Sequence, residues 1–539
     1  MKFLSTEQMR KVDQYTITKL GIPAMALMEN AGRAIAEEVL RICGTDRTKP
    51  PAQHWLVFVG KGNNGGDGLV CARHLADEGV AVTLLYAVHG DQLRGDALAQ
   101  HRIVEALDLP RLVYMPDAEQ SEGQRDAAAS GKCGVVNQDG LEQLLSGERF
   151  TGIIDALLGT GTKGAPRGVY ADLIRAANRS GLPIVAADIP SGLDADTGAV
   201  HDPCIKARVT VSLAFMKAGL TQYPGAKAAG EVVVRYIGIP RALPPGMQAE
   251  GVLLTEESLG DELGIDVARR READGHKGTY GHVLLAAGSM PMSGAGLLAA
   301  KAALRAGCGL ATWALPTAVL QHVLGAVPEL MLAPAKDDGA GAWSEAAAEE
   351  VLRLLAARDV LAVGPGMGRF PGEDGFMRAL WEGAGRPLVV DADALGILAE
   401  ADGLARWQRR DAATILTPHP GEMARLTGVS TGEVQNDRLG IARRFALQHG
   451  LTLVLKGART VVAAPDGRVF VNTTGHPGMA TGGSGDVLTG IIASLLAQGL
   501  DAVQAAAFGV YLHGRAGERA AALRHSPASL IAGDIIEAL

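Results

Sequence analysis

His54-Trp55-Leu56-Val57-Phe58-Val59-Gly60-Lys61-Gly62-Asn63-Asn64-Gly65-Gly66-Asp67-Gly68 joins an unbroken apolar run to a glycine-rich loop that opens a helical stretch. An apolar run without polar alternation reads as a strand buried on both faces, which belongs to a parallel sheet covered by helices. Working outward, similar runs follow at 82–88, 152–158, 183–188 and 208–214, and helical stretches at 66–79 and 168–180 are placed to cover the two faces. The first half therefore reads as one doubly wound, Rossmann-like α/β domain.

Periodicity stops at 238–251, where proline and glycine accumulate. Such a segment marks a boundary, so the expected division is a domain over 1–240, a linker over 241–252 and a second domain over 253–539. A second α/β series runs through 281–288, 359–366, 387–393, 413–421 and 451–457. From Ser484 onward, Leu488, Ile491, Ile492, Leu495 and Leu496 recur at helical spacing, which predicts a helix with one face against this second sheet.

Composition narrows the partners. With 51 Lys+Arg against 59 Asp+Glu, the 539-residue chain carries a net charge of −8. A phosphate-backbone binder needs a clustered basic footprint, so no nucleic acid is expected as a partner. Cysteines 43, 71, 133, 204 and 308 form no C-x-x-C pair and suit neither a disulfide framework nor a zinc site. No uncharged apolar run approaches a membrane span, and the expected location is cytoplasmic, without membrane association.

The glycine loops carry the chemistry. Gly60, Gly62 and Gly65 satisfy G-x-G-x-x-G, but the next strand ends Val88-His89-Gly90 without the acidic residue that a ribose would need. Asn63, Asn64 and Asp67 instead place polar groups beside a helix N-terminus, where free amides attract phosphate. A capped tight turn is the alternative. Asp155, before Gly159-Thr160-Gly161-Thr162-Lys163-Gly164-Ala165, and Asp188, before Ser191, stand at carboxyl ends of strands, where parallel sheets bind ligands. Asp188 and Asp194 could equally cap turns.

In the second half, Thr481-Gly482-Gly483-Ser484-Gly485-Asp486 leaves amides bare for a phosphate, and Asp486 can accept a hydroxyl proton. An acidic N-terminal turn is the bland alternative. Lys456-Gly457-Ala458-Arg459-Thr460 offers two cations with little bulk for a nucleotide, and His419 ends a buried strand, either as a ligand contact or as a turn histidine. No Walker A sequence occurs, and no histidines have metal-ligand spacing.

NNGGDG (63–68), DALLGTGT (155–162) and DIPSGLDADTG (188–198), followed by GPGMG, DADAL, TPHPGE, KGART and GGSGDVLTG, form an ordered series over nearly the whole chain. In this series the chain closely resembles the family of bifunctional NAD(P)H-hydrate repair enzymes, an epimerase domain joined to an ADP-dependent dehydratase domain of ribokinase-like fold. The resemblance implies interconversion of R and S hydrates of NADH or NADPH, then ADP-dependent dehydration of the S form. It implies K+ on Asn64, Asp155 and Ser191, and substrate contacts at Asn63, Asn64, Gly65, Gly66, Asp67, at residues Gly159 to Ala165, and at Asp188, with Asp188 as the acid/base group. In the second domain it implies substrate at Ala295, Gly366, His419 and Asp486, with Asp486 catalytic, ADP at Lys456, Gly457, Ala458, Arg459, Thr460 and Gly485, and Mg2+ with the nucleotide. A homo-oligomer is expected.

One loop departs from the family pattern of Gly-Thr-Gly-Leu-x-Arg: Thr162-Lys163-Gly164 stands there, with Arg167 later, so either cation could supply the missing charge. Two other readings compete: a ribokinase-like small-molecule kinase fused to a nucleotide-sensing domain, and a first half serving as a noncatalytic scaffold.

Overall fold

The computed structural model describes residues 1–44, 53–117, 133–147 and 149–539. The chain forms two compact units, Lys2–Glu250 and Gly251–Leu539. Residues 241–252 are thus shared between them, Gly251 already opening the strand Gly251–Leu254.

Lys2–Glu250 is built on an eight-stranded sheet in the order Glu231–Arg235, Val209–Leu213, Ile184–Ala187, Gly152–Ala156, His54–Val59, Ala81–Tyr86, Arg111–Tyr114, Cys133–Val136. Every neighbouring pair is parallel. From His54–Val59 the chain builds outward to one edge, then returns to place Gly152–Ala156 on the other side of that strand. The order reverses between these two strands, in register Phe58 to Asp155 and Val59 to Ala156. A crevice opens at such a reversal, outside the carboxyl ends. Alternate residues of the central strand feed the two cores. Trp55, Val57 and Val59 pack with Ile35, Leu69 and Leu75, while Leu56 and Phe58 pack with Leu173 and Ile174.

The glycines of the first loop answer a steric demand. A Cβ on Gly60 would stand 1.7 Å from the Leu157 carbonyl oxygen, and one on Gly65 would stand 2.0 Å from that of Gly60. The helix consequently begins at Asn63, earlier than the sequence suggests, and runs Asn63–Asp77. The strands Arg111–Tyr114, Cys133–Val136 and Glu231–Arg235 add to the sheet without a clear apolar signature, being four or five residues long.

The sheet of Gly251–Leu539 runs Met331–Ala335, Leu310–Pro316, His282–Ala286, Val360–Val363, Leu388–Val390, Thr414–Leu416, Thr452–Leu455, Val461–Ala463, Val469–Asn472, Gly251–Leu254. Pairing is parallel except on the two sides of Val461–Ala463, which is antiparallel to both neighbours. The hairpin so made carries residues 456–460 at the end of Thr452–Leu455, tied by the Lys456 amide donating to the Pro418 carbonyl at 2.8 Å.

The helix Ser484–Ala497 departs from the one-sided burial expected of it. All its residues from Val487 to Ala497 are buried, because the helices Ser293–Arg305 and Ala502–Ala522 pack on the sides that the sheet leaves open. A helix apolar all round belongs in an interior. Gly490 permits the closest approach: a Cβ there would lie 2.0 Å from the Ala299 carbonyl oxygen. Gly490→Ala is therefore expected to destabilise this unit by about 1–3 kcal/mol through overpacking, outweighing a helix-propensity gain of at most about 1 kcal/mol. Equilibrium denaturation followed by far-UV dichroism measures the difference.

Candidate functional sites at the carboxyl ends of both sheets

At the reversal of the first sheet lies a cavity of about 740 Å³. Its walls include Asn63, Asn64 and Asp67 from the first turns of Asn63–Asp77, Gly159 to Thr162 from the loop after Gly152–Ala156, and Asp188. Gly65 and Gly66 do not line it, since they face the backbone of Gly60 and the side chain of Met28. Lys163 and Ala165 also stand outside the lining, and Gly164 borders a smaller neighbouring hollow.

Asp188 has a left-handed backbone, φ 64°, a conformation that aspartate tolerates better than most residues. Its Oδ1 accepts from the Leu213 amide at 2.9 Å and from Lys217 Nζ. Lys217 is 1% exposed, and its ammonium also donates to the Leu213 carbonyl at 2.7 Å. A buried ammonium thus grips the carboxylate at the cavity wall, as a buried charge requires. Around it, burial pushes Asp13 up to about 6, with the Asp188 charge adding and Lys217 opposing. Burial also raises Asp67 well above the ordinary range, with Asp188 and Asp13 adding. Asp194, by contrast, caps a turn, accepting from Asp196 and Thr197.

Asp155 and Ser191 lie beneath the cavity wall, both buried. Asp155 accepts from the Ser191 hydroxyl at 2.6 Å, the Ser191 amide at 2.8 Å and the Leu157 amide at 3.2 Å. Asn64 donates to the Leu158 carbonyl at 2.9 Å, which leaves its buried Oδ1 without a hydrogen-bond partner. A buried acceptor with nothing to accept has room for a water or a cation.

In the second unit, Gly483 caps the helix Ser484–Ala497 at φ 87°, and Asp486 sits in its first turn. Burial pushes Asp486 up to about 6, with the Asp391 carboxylate adding and Lys456 opposing. Lys456 Nζ donates to Asp391 Oδ1 at 2.6 Å and lies 3.9 Å from Glu422. Burial would push this ammonium down, but the two carboxylates outweigh it and the net direction is up. Asp391 receives a further bond from the Thr489 hydroxyl at 2.6 Å, which ties the Lys456 loop to the Asp486 helix. His419 caps the helix Pro420–Thr427, its Nδ1 accepting from the Gly421 and Glu422 amides at 3.0 and 3.3 Å. Gly366, at φ 62°, packs against Ala295: a Cβ on it would stand 2.7 Å from the Ala295 Cβ.

Residues 24–219 match the model described as YjeF-related protein N-terminus, and residues 283–539 match that described as NAD(P)H-hydrate dehydratase. The bifunctional NAD(P)H-hydrate repair enzyme Nnr of Moorella thermoacetica is 42% identical over 539 residues, covering 100% of this chain and 96% of that protein. The chain belongs to this family. The Escherichia coli member is 34% identical, over 99% of this chain and 92% of its own. A solved ADP/ATP-dependent NAD(P)H-hydrate dehydratase of Bacillus subtilis is 32% identical, covers 53% of this chain and 96% of its own, and superposes with a TM-score of 0.45.

Within this repair-enzyme fold, sequence reasoning passed over Lys217, Asp391, Glu422 and Thr489. Lys217 had a signal: it is the single charge in the apolar stretch 209–222. Asp391 had one too, as a carboxylate closing a buried strand in the manner of Asp188. Lys163 and Arg167 are both exposed. Among the described residues no cluster of three or more His, Cys, Asp or Glu is arranged to hold a metal ion, and no helix is long and apolar enough to cross a membrane.

The Lys456 pair generates a stability prediction. Asp391→Ala strands a mostly buried ammonium and is expected to cost about 3–5 kcal/mol. Chemical denaturation at neutral pH checks it, and Lys456→Met together with Asp391→Ala should recover part of the loss.

Proposed function

We propose that this chain repairs NADH and NADPH hydrated at the nicotinamide ring. The Lys2–Glu250 unit interconverts the R and S hydrates. The Gly251–Leu539 unit dehydrates the S form, converting ADP to AMP and phosphate. The observation that carries this reading is full-length similarity to bifunctional repair enzymes, together with both glycine-loop sites being present in one chain.

Hydroxide leaves carbon poorly. Transfer of the terminal phosphoryl group of ADP to the substrate hydroxyl lets phosphate depart instead, while the ring nitrogen supplies the electrons. Asp486 takes the hydroxyl proton, and the amides of residues 483–485 face the charge that develops on the transferred group. Lys456, held by Asp391, adds a fixed positive charge, with Gly457 to Thr460 and Gly485 along the nucleotide. Substrate lies against Ala295, Gly366 and His419. Mg2+, when bound with the nucleotide, neutralises its phosphates and needs few protein carboxylates.

In the first unit, Asp188 acts as a base beside the nicotinamide ring, with the substrate along Asn63, Asn64, Asp67 and Gly159 to Thr162, the residues that line the cavity. K+ would be held by Asn64 Oδ1, Asp155 and Ser191. The unpartnered buried Asn64 oxygen supports this assignment, and oxygen donors suit a hard cation. An ion held there would tie the loop after Gly152–Ala156 to the Asn63 turn, which already meet where Asn64 donates to the Leu158 carbonyl.

Incubation of the purified protein with hydrated NADH and ADP should restore reduced-nicotinamide absorbance, whereas a small-molecule kinase would restore none. Asp486→Asn should lower ADP-dependent dehydration at least about 100-fold and leave R-to-S conversion in place. Because Asp486 must be ionised to act and is raised to about 6, dehydration by the wild type should fall as pH drops through about 6. Asn64→Ala should raise the K+ concentration needed for epimerisation by about tenfold or more, corresponding to about 1.4 kcal/mol of binding, measured by titrating KCl against chromatographic separation of the epimers.

A further inference from the structure

The cavity of the Lys2–Glu250 unit is faced by a carboxyl group that its base does not explain. Asp13 lines it from the helix Thr6–Thr18, on the same side as Met9, Arg10 and Ile17. Among the described residues its carboxyl group makes no hydrogen bond or ion pair, although it is close enough to Lys217 and Asp188 to feel both charges. A half-buried carboxyl that lines the cavity and forms no hydrogen bond or ion pair there has no role in holding the fold together.

Its position is nonetheless fixed. The helix is capped reciprocally by Ser5 and Gln8, and the Thr6 amide and hydroxyl donate to Asp196 at 2.6 and 2.7 Å. The preceding strand Lys2–Leu4 pairs with Met216–Lys217, placing Leu4 beside Lys217. The segment carrying Asp13 is thus hydrogen-bonded to the segment carrying the ammonium that grips Asp188. The other charged groups facing the cavity are Arg10, Lys61, Asp67, Arg94 and Asp96.

We propose that Asp13 is the second acid/base group of epimerisation, working across the substrate ring from Asp188. The inference rests on the reading of this unit as an epimerase. Nitrogen-assisted loss of the hydroxyl places that hydroxyl on the carbon bonded to the ring nitrogen, so the R and S forms differ at a hemiaminal carbon. Asp188 takes the hydroxyl proton, the C–O bond becomes a carbonyl, and the C–N bond breaks with its electron pair going to nitrogen. Asp13 gives that nitrogen a proton. After the aldehyde turns, nitrogen attacks its other face and returns its proton to Asp13, while Asp188 protonates the alkoxide. No oxidant and no net proton is consumed. Two carboxyl groups in contrasting settings, one gripped by an ammonium and one unpaired and pushed up by burial, are the arrangement that such an exchange requires.

The full-length protein with the purified R hydrate and K+, without ADP, provides the test, with R-to-S conversion followed by chromatography across pH 5–9. Asp13→Asn should lower kcat at least about 100-fold. Asp13→Glu should recover most of the rate. Ring opening needs Asp13 protonated, so wild-type kcat should fall as pH rises through about 6, and this limb should move in Asp13→Glu. Wild-type kcat and an unchanged limb in Asp13→Asn would overturn the proposal, as would removal of the limb by Asp67→Asn with Asp13→Glu unaltered. Should Asp13→Asn fail to fold, the limb in Asp13→Glu decides. A wild type unable to interconvert the epimers would instead overturn the epimerase reading itself.

Discussion

Strands buried on both faces tolerate polar side chains at few places, and the carboxyl ends are chief among them. That constraint governs both units. Along His54–Val59 every residue after His54 is buried, and the next positions are glycines, Lys61 and two asparagines. Along Leu388–Val390 all are buried, and Asp391 follows at once. Since the strands run parallel, these polar termini emerge on one side of the sheet and meet without being near in sequence. The glycine turns then let the backbone of one terminus come within contact of another, as Gly60 does against Leu157.

A second motif is shared by the two units. Each holds one mostly buried ammonium against a carboxylate at the mouth of its sheet, Lys217 on Asp188 and Lys456 on Asp391. Such pairs contribute little to stability because desolvation offsets attraction. They do something else. A carboxylate clamped by an ammonium keeps its place, while its unclamped neighbours, Asp13 and Asp486, are raised toward neutrality by burial. Each site thereby sets an ion-paired carboxylate beside one that no ammonium clamps.

Much of this was legible from residues alone. The apolar strands and the glycine turns announced two α/β units, because both features have steric causes that do not depend on distant contacts. Asn64, Asp155, Asp188 and Asp486 stood out for the same reason. Lys217 and Asp13 did not, since a lone lysine in an apolar run and an early aspartate acquire meaning only when the strand Lys2–Leu4 brings their segments together. The all-round burial of Ser484–Ala497 was hidden similarly: the periodic leucines and isoleucines mark one face, whereas Ala493, Ala497 and Gly490 become interior only through the helices laid upon them.

The pairing of Lys2–Leu4 with Met216–Lys217 carries a practical corollary for anyone handling the protein. Residues 2–4 brace a strand more than two hundred positions downstream whose Lys217 lines the cavity, so changes to those three residues are felt at the cavity wall.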